Sequence, residues 1–255
     1  DDFQSPLADQ QLLELMLHHE DIHFRVANCR SDLIFINGGE SMRILFADMS
    51  DASTLPSELQ GWFNLAQPIS NEFIADGVAF ELNVEQVLKN GLGQIQLEST
   101  VYYPLESEQE AEIATYPVRF GGNIAFLGYH PPVQPSSPAL NLGDVLTIAT
   151  YWRIDGDVLP NTGIFVRLHD TPQSSPYTEI NEFGVDATRL QNRDVIVQVG
   201  YLTLPTSLRT DEEYLLTIGV FDNDPVNQLP AYEGQTNAVR GSYLLLGSPF
   251  MVVSP

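Results

Sequence analysis

Cysteine is almost absent from this chain of 255 residues, in which Cys29 is the only one. A single thiol excludes an internal disulfide framework and any zinc site built from several cysteines. It is compatible with an extracytoplasmic location, because exported domains without disulfides are common in bacteria. Long apolar runs are also absent: none reaches the roughly 18 residues that a transmembrane helix needs.

Positive charge is scarce. Lys and Arg together number 11 against 34 Asp and Glu, which gives a net charge of −23. Nucleic-acid binding and docking on an anionic membrane surface both need clustered basic side chains, so we expect neither. Hydrophobic residues make up 43% of the chain, which is enough for a sizeable core and unlike a disordered acidic tail. The beginning of the sequence lacks a signal-peptide pattern and predicts a mature or excised piece of a longer polypeptide.

Two regions of different character predict two domains. Residues 1–116 predict a small α+β domain, and residues 117–255 predict an all-β antiparallel sandwich of the Ig-like or jelly-roll type. The boundary is placed within residues 106–115, where glutamate alternates with small or polar residues at four positions. Such a pattern is typical of a solvated linker.

The α+β character of the first region comes from mixed periodicities. Residues 84–89 predict a helix that ends at Asn90 and Gly91, a pair that commonly terminates helices. The apolar runs at 32–36 and 42–47 flank an Asn-Gly-Gly sequence and predict a β-hairpin. Trp62, in a short helical pattern, is predicted to be a packing residue of this region.

The sandwich is predicted from short alternating segments separated by turn residues, which give at least six strands in the second region. In residues 145–154 one face of the alternating strand carries Leu146, Ile148, Thr150 and Trp152. We therefore expect Trp152 in the core. The same alternation directs Ile164, Val166 and Leu168 inward.

Four segments of the second region carry a family resemblance. They are LGYHPP at 127–132, LNLGDVLTIATYWRI at 140–154, IFVRLHD at 164–170 and YLLTIGVFDNDPVNQLP at 214–230. Together they resemble the C-terminal extracytoplasmic domain of large bacterial membrane glycosyltransferases, which are similar to the polyprenyl- or dolichyl-phosphate-mannose protein mannosyltransferases. The resemblance covers residues 117–255, and more loosely residues 20–116. Arg167 stands where the family's third strand has a histidine.

The resemblance implies a role without catalysis for this chain. In that enzyme class the catalytic acids lie in loops near the membrane helices, and no such helix is present in this sequence. The expected function is an extracytoplasmic module of the cell envelope, tethered to the membrane through an upstream segment. It would position a glycan or polypeptide acceptor, or brace the membrane-embedded portion of the parent protein, which are its expected partners. The alternative is a stand-alone cell-envelope interaction or carbohydrate-binding protein, and a third reading is a hydrolase with unrecognised carboxylates.

One set of side chains is typical of a glycan-binding surface. Tyr151, Phe165, Arg167 and His169 are predicted to share the solvent face of adjacent strands. Aromatic rings stack on the C–H faces of sugars, while Arg and His donate hydrogen bonds to hydroxyl groups. The alternative is that the first region or a partner protein covers these residues.

Catalytic and cofactor motifs are missing. No G-x-S-x-G sequence and no nucleotide-binding glycine loop is present, so we expect neither a serine hydrolase nor a nucleotide cofactor. Asp222 and Asp224 offer oxygen ligands at alternate positions, as calcium prefers, but an ordinary Asp-rich turn is favoured over a calcium site. His18, His19 and His23 are close in sequence, and a polar helix end is favoured over zinc there.

Overall fold

The computed structural model describes residues 25–28, 30–36, 41–46, 53, 55–69, 78–104, 112–131, 140–181, 184–234 and 236–254. Its strands are β1 (Asp32–Phe35), β2 (Met42–Phe46), β3 (Gln67–Ile69), β4 (Val78–Leu82), β5 (Val101–Tyr103), β6 (Glu112–Ile113), β7 (Val118–Phe120), β8 (Ile124–His130), β9 (Leu140–Asn141), β10 (Val145–Ile154), β11 (Thr162–His169), β12 (Thr178–Asn181), β13 (Val195–Thr203), β14 (Glu213–Asp222), β15 (Ala231–Tyr232) and β16 (Leu244–Val253). The helices are α1 (Ser57–Gln60) and α2 (Val84–Glu98), and the 3-10 helices are η1 (Gly61–Leu65) and η2 (Ala187–Arg189).

Two large sheets pack face to face. One has six strands in the order β1-β13-β10-β8-β7-β15. The other has seven, in the order β12-β11-β14-β16-β5-β6, with β9 pairing to β16 at its side. Pairing is antiparallel throughout the described residues except between β9 and β16. The predicted antiparallel, β-rich sandwich is therefore confirmed.

The core between the two sheets has Trp152 near its centre. Its side chain is fully buried, and its ring centroid lies 4.8 Å from that of Phe126 and 6.0 Å from that of Phe120. The indole N–H donates to the Thr150 hydroxyl at 2.9 Å, so the one polar atom of the ring has a partner. The predicted orientation of strand 145–154 is confirmed.

A tyrosine at the beginning of β14 forms hydrogen bonds with the loop that precedes this strand. The Tyr214 hydroxyl accepts the backbone N–H of Arg209 at 2.7 Å and donates to the Arg209 carbonyl at 3.0 Å. This is the arrangement known as a tyrosine corner in Greek-key sandwiches. It fixes the loop before β14 to the strand that follows.

A third layer covers the outer face of the six-stranded sheet. It consists of a small sheet in the order β2-β4-β3 together with α1, η1 and α2. Trp62 of η1 is its central contact, with ring centroids 5.2 Å from Phe35 and 5.8 Å from Tyr151. Because both faces of the six-stranded sheet are covered, all four residues of β1 are buried. The predicted packing role of Trp62 is confirmed.

The predicted division at residue 116 does not coincide with a boundary between sheets. Strand β1 joins the six-stranded sheet, and β5 and β6 join the seven-stranded sheet, so the first 116 residues contribute to both. Residues 112–113 of the predicted linker form β6, which pairs with β5. Residues 105–111 lie outside the described residues.

The hairpin predicted around the Asn-Gly-Gly sequence is wrong. Strand β1 pairs with β13, with Asp32 opposite Gln198, whereas β2 pairs with β4. Two neighbouring apolar runs favour a hairpin on local grounds, but β1 is apolar on both faces and gains more burial inside the large sheet.

Helix α2 does not end at Asn90. It begins after Asn83, whose side chain accepts the Gln86 N–H at 2.8 Å, and it continues to Glu98. Gly91 lies inside the helix and faces Trp62, where a β-carbon would collide with the indole ring. The glycine therefore permits close packing instead of terminating the helix. None of the helices in the described ranges is long and apolar enough to span a membrane.

A buried ion pair fixes the chain before β1. The Arg25 Nε atom lies 2.6 Å from Asp194 Oδ2, and the two side chains are 4% and 0% exposed. Asp194 Oδ2 also accepts the Gln191 N–H at 2.8 Å. The pair connects residues 169 positions apart in the sequence, directly beside the beginning of β13.

Candidate functional site

The predicted glycan-binding stripe was wrong as a single solvent-facing surface. Tyr151 lies on the six-stranded sheet, where the third layer covers it completely, and the Trp62 ring packs against it. Phe165, Arg167 and His169 lie on the outer face of the seven-stranded sheet instead. Strand alternation gave the correct side for each residue, but it could not show that β10 and β11 belong to different sheets.

The three residues of the predicted stripe that lie on β11 form a packed cluster. The Arg167 guanidinium carbon lies 4.1 Å above the Phe165 ring centroid, a cation–π geometry. Its Nε donates to Glu179 at 2.9 Å and its Nη2 to the Pro225 carbonyl at 3.1 Å. Phe165 is 1% exposed and the Arg167 side chain 13%. The ring that would stack on a sugar is therefore already covered.

His169 is held by two neutral partners. Its Nδ1 lies 2.9 Å from the Ser174 carbonyl and its Nε2 lies 3.2 Å from the Thr217 hydroxyl. A neutral imidazole with the proton on Nδ1 satisfies both contacts. Burial lowers the pKa of His169, and the nearby Arg167 guanidinium adds to this lowering, against the opposing effect of the Ser174 carbonyl.

The turn at Asp222 and Asp224 is held by local hydrogen bonds. Asp224 Oδ1 accepts the Val226 N–H at 2.9 Å, and the Asp224 N–H donates to the Asp222 carbonyl at 2.7 Å. Asn223, at φ 66°, makes the left-handed step of the turn. The preference for an ordinary turn over a calcium site at Asp222 and Asp224 stays a prediction. Across the described ranges, no three His, Cys, Asp or Glu side chains come together as a metal site, and His18, His19 and His23 lie outside those ranges.

A cleft of about 570 Å³, here called the α2 cleft, opens between helix α2 and the outer face of the six-stranded sheet. Its lining is Glu85, Leu88, Lys89, Leu92, Gly93 and Gln96 of α2, with Pro117, Leu127, Arg153, Asp155, Arg193 and Val195 from the sheet side. The helical residues recur at spacings of three or four and therefore share one face of α2. The cleft combines leucine walls with charged and amide groups.

Close packing of α2 on β8 sets the position of this helical face. Gly128 of β8 has φ +143°, and a β-carbon there would lie 3.0 Å from Ile95 Cγ2. The Gln96 side-chain amide donates to the Leu127 carbonyl at 3.0 Å, which fixes the same turn of the helix to the strand. The glycine thus lets the helix approach, and the hydrogen bond sets its register.

Arg153 and Asp155 form the floor at the end of β10. Arg153 Nε donates to Asp155 Oδ1 at 2.5 Å and Nη2 to Oδ2 at 2.8 Å, a two-point ion pair. The Asp155 hydrogen bond raises the pKa of Arg153. Neighbouring Arg193 has φ 74°, uncommon for a residue other than glycine, and its N–H donates to the Ile154 carbonyl at 2.6 Å.

Lys89 and Arg193 differ from most cations of the protein. Seven arginines form ion pairs: Arg25, Arg43, Arg153, Arg167, Arg189, Arg209 and Arg240. Lys89, the single lysine of the sequence, and Arg193 form no ion pair with any residue in the described ranges. The cleft lining holds three bases and two acids, so its net charge is +1 in a protein of −23.

Sequence reasoning did not find this cleft, because its charged residues come from three distant segments. Lys89, Arg153 and Arg193 share no local spacing. The pairing of β10 with β13, in which Arg153 lies opposite Val195, brings Arg153 close to Arg193. The one available signal was the single lysine within a predicted helix.

A second cleft, of about 690 Å³, lies beside α1 and β10. Its lining includes Glu58, His130 and Asp144 and contains neither lysine nor arginine. It offers carboxylates to a ligand in a protein that is already strongly acidic. The α2 cleft is therefore the better candidate for holding a polar ligand.

No protein-family model matches the chain, and no curated protein matches it. Among solved structures, the crystal structure of the C-terminal domain of wzt is similar to part of it, with a TM-score of 0.36 and 16% sequence identity. The similarity covers 60% of this chain and 81% of that chain.

Proposed function

We propose that the chain is a non-catalytic extracytoplasmic module that holds a glycan in the α2 cleft, and so positions it for a membrane glycosyltransferase to which the module belongs. The observation that carries the glycan part is the lining of the cleft: fixed charged and amide side chains beside leucine walls. The parentage and the extracytoplasmic location rest on the sequence resemblance alone.

The chemistry of the lining suits a sugar. Arg153, Asp155 and Gln96 present planar donor and acceptor groups, which match pairs of hydroxyls on a sugar ring. Leu88 and Leu92 offer apolar surface to the C–H faces of that ring. The volume of about 570 Å³ is within the range of small-molecule sites.

The engagement of Asp155, one of the two carboxylates of the cleft, supports binding over hydrolysis. Asp155 is held by Arg153 at both oxygens. A pair of carboxylates that hydrolyses a glycoside must act as acid and base or nucleophile, and a residue tied in this way is poorly placed for either role. The same cleft would serve a stand-alone carbohydrate-binding protein of the cell envelope. The full gene separates the two readings, because eight or more upstream hydrophobic helices would support the transferase parent.

Gly93 gives a direct test of the cleft. It lines the cleft, and a β-carbon there would meet no atom within 4 Å, so a large side chain can enter the open space. We expect oligosaccharides at millimolar concentration to shift the amide NMR signals of Lys89, Gln96 and Arg193. Gly93→Trp should abolish these shifts while the protein stays folded, and Gly93→Ala, which adds one methyl group, should keep them.

Three results would contradict the proposal. If no oligosaccharide of a broad panel shifts cleft signals, or if the shifts appear around Arg167 instead, the cleft is not a glycan site. If the purified chain transfers sugar from a polyprenyl-phosphate donor, the non-catalytic assignment is wrong.

A further inference from the structure

Two of the three cations of the α2 cleft, Lys89 and Arg193, form no ion pair within the described residues, in a protein that has a large excess of acids. With 34 acidic and 11 basic residues, carboxylates are abundant, and seven of the ten arginines form ion pairs in the described residues. Lys89 and Arg193 both line the cleft and are not paired with any residue that the structure describes. An unpaired cation in a concave site is open to an anion from outside the chain.

The two cations lie on facing walls. Lys89 comes from helix α2, and Arg193 comes from the turn that leads into β13 on the sheet side. The backbone of Arg193 is held by the hydrogen bond from its N–H to the Ile154 carbonyl. An anion between the walls would therefore meet a flexible ammonium on one side and a planar guanidinium on a fixed backbone on the other.

We infer that the ligand of the α2 cleft is a carboxylated sugar, such as a uronic acid, whose carboxylate lies between Lys89 and Arg193. This inference rests on the proposed function, since it names the chemical class of the glycan. The carboxylate is planar and can accept two parallel hydrogen bonds from a guanidinium.

The charge of the lining selects a carboxylate over a phosphate monoester. Three bases and two acids give the lining a net charge of +1, which one carboxylate neutralises. A phosphate monoester carries about −1.5 to −2 at neutral pH, so it would leave an excess of negative charge in a protein of −23. A monoanionic sugar is therefore the better electrostatic match.

Glu85 limits how much negative charge the cleft accepts. It lies one helical turn before Lys89 on the same face of α2 and also lines the cleft. Its carboxylate would repel a bound anion, so removing its charge should strengthen binding of an acidic sugar. Glu85 thus provides a variant whose expected effect is opposite to those of Lys89 and Arg193.

The test is calorimetric titration of the full chain at pH 7 with the methyl glycoside of galacturonic acid, which carries one carboxylate, and with its methyl ester, which has the same ring without the charge. We expect the acid to bind about 10-fold more tightly than the ester, the size of one charged hydrogen bond. Lys89→Gln and Arg193→Gln should each remove most of this preference. Glu85→Gln should increase the preference for the acid over the ester. Arg43→Gln removes an exposed cation elsewhere and is the matched control.

The outcomes separate this inference from the proposed function. Equal binding of acid and ester in the cleft, unaffected by Lys89→Gln and Arg193→Gln, would overturn the carboxylate assignment and leave the glycan site intact. A sugar phosphate that binds more tightly than the galacturonic acid glycoside would also overturn it. If neither the acid nor the ester binds, both the inference and the proposed function fail.

Discussion

The ring of Trp62 contacts helix α2 at Gly91, where a β-carbon would come within 2.6 Å of the Trp62 Cζ3 atom. Trp62 thereby connects α2 to the six-stranded sheet, because its ring also packs on Phe35 and Tyr151. Two residues further along, Gly93 faces the open α2 cleft and has no neighbour at its β-carbon position. The same helix therefore contains one glycine that packing requires and one that packing does not.

Alanine at these two positions should change stability in opposite directions. Gly93→Ala should raise the free energy of unfolding by about 0.5–1 kcal/mol, the difference in helix propensity between the two residues. Gly91→Ala should lower it by roughly 1–3 kcal/mol, because overpacking against Trp62 exceeds the propensity gain. Urea titrations of both variants measure the two effects. Stabilisation by both substitutions would show that Trp62 moves away freely.

Loss of Arg25 should be strongly destabilising. Arg25→Met leaves the fully buried Asp194 without its cation and should lower the free energy of unfolding by about 3–5 kcal/mol. Arg43→Gln breaks an exposed ion pair with Glu81 and should cost no more than about 1 kcal/mol. The comparison uses chemical denaturation at neutral pH. Similar costs for the two variants would mean that solvent reaches Asp194.

The tyrosine corner should contribute measurably to stability. Tyr214→Phe removes the acceptor for the Arg209 N–H and should cost about 1–2 kcal/mol. Tyr177→Phe, which removes an exposed hydroxyl contact of 3.3 Å to Asp170, should stay within about 0.5 kcal/mol. Thermal denaturation of both variants provides the measurement, and a neutral Tyr214→Phe would show that water replaces the hydroxyl.

His169 should make the protein less stable in mild acid. Because its folded pKa lies below the ordinary value of 6.5, its contribution is fully present above about pH 6.5, and it is lost as the pH falls through the lowered folded pKa. His169→Gln should therefore show a smaller decrease in unfolding free energy between pH 7.5 and pH 5 than the wild type. All other titrating groups are shared, so the difference isolates His169. A steeper decrease in the variant would mean that the folded pKa of His169 is raised instead of lowered.

Strand alternation predicted much of the sandwich. A period of two in residues 145–154 placed Trp152 in the core, because side chains on one strand can face only two ways. The same rule could not assign β10 and β11 to different sheets, since partner choice depends on contacts across the whole chain. Tyr151 was therefore predicted on a surface that the third layer covers.

Local signals failed where distant residues decide the structure. In the sequence, Gly91 predicts the end of a helix. Only the position of Trp62 shows that this glycine instead permits close packing inside the helix. The α2 cleft could not be predicted from the sequence for the same reason. Lys89 and Arg193 are 104 positions apart (193 − 89), and no local pattern joins them.

The pairing of β1 with β13 also sets the order of events during synthesis. Asp32 and its partner Gln198 are 166 positions apart (198 − 32). At roughly 5–20 residues per second, a ribosome needs on the order of 10–30 s to make the intervening chain. Through that interval Leu33 and Phe35 have left the ribosome, while the strand that will bury them does not yet exist. The β1 segment of the newly made chain therefore stays without its partner strand until β13 has been translated.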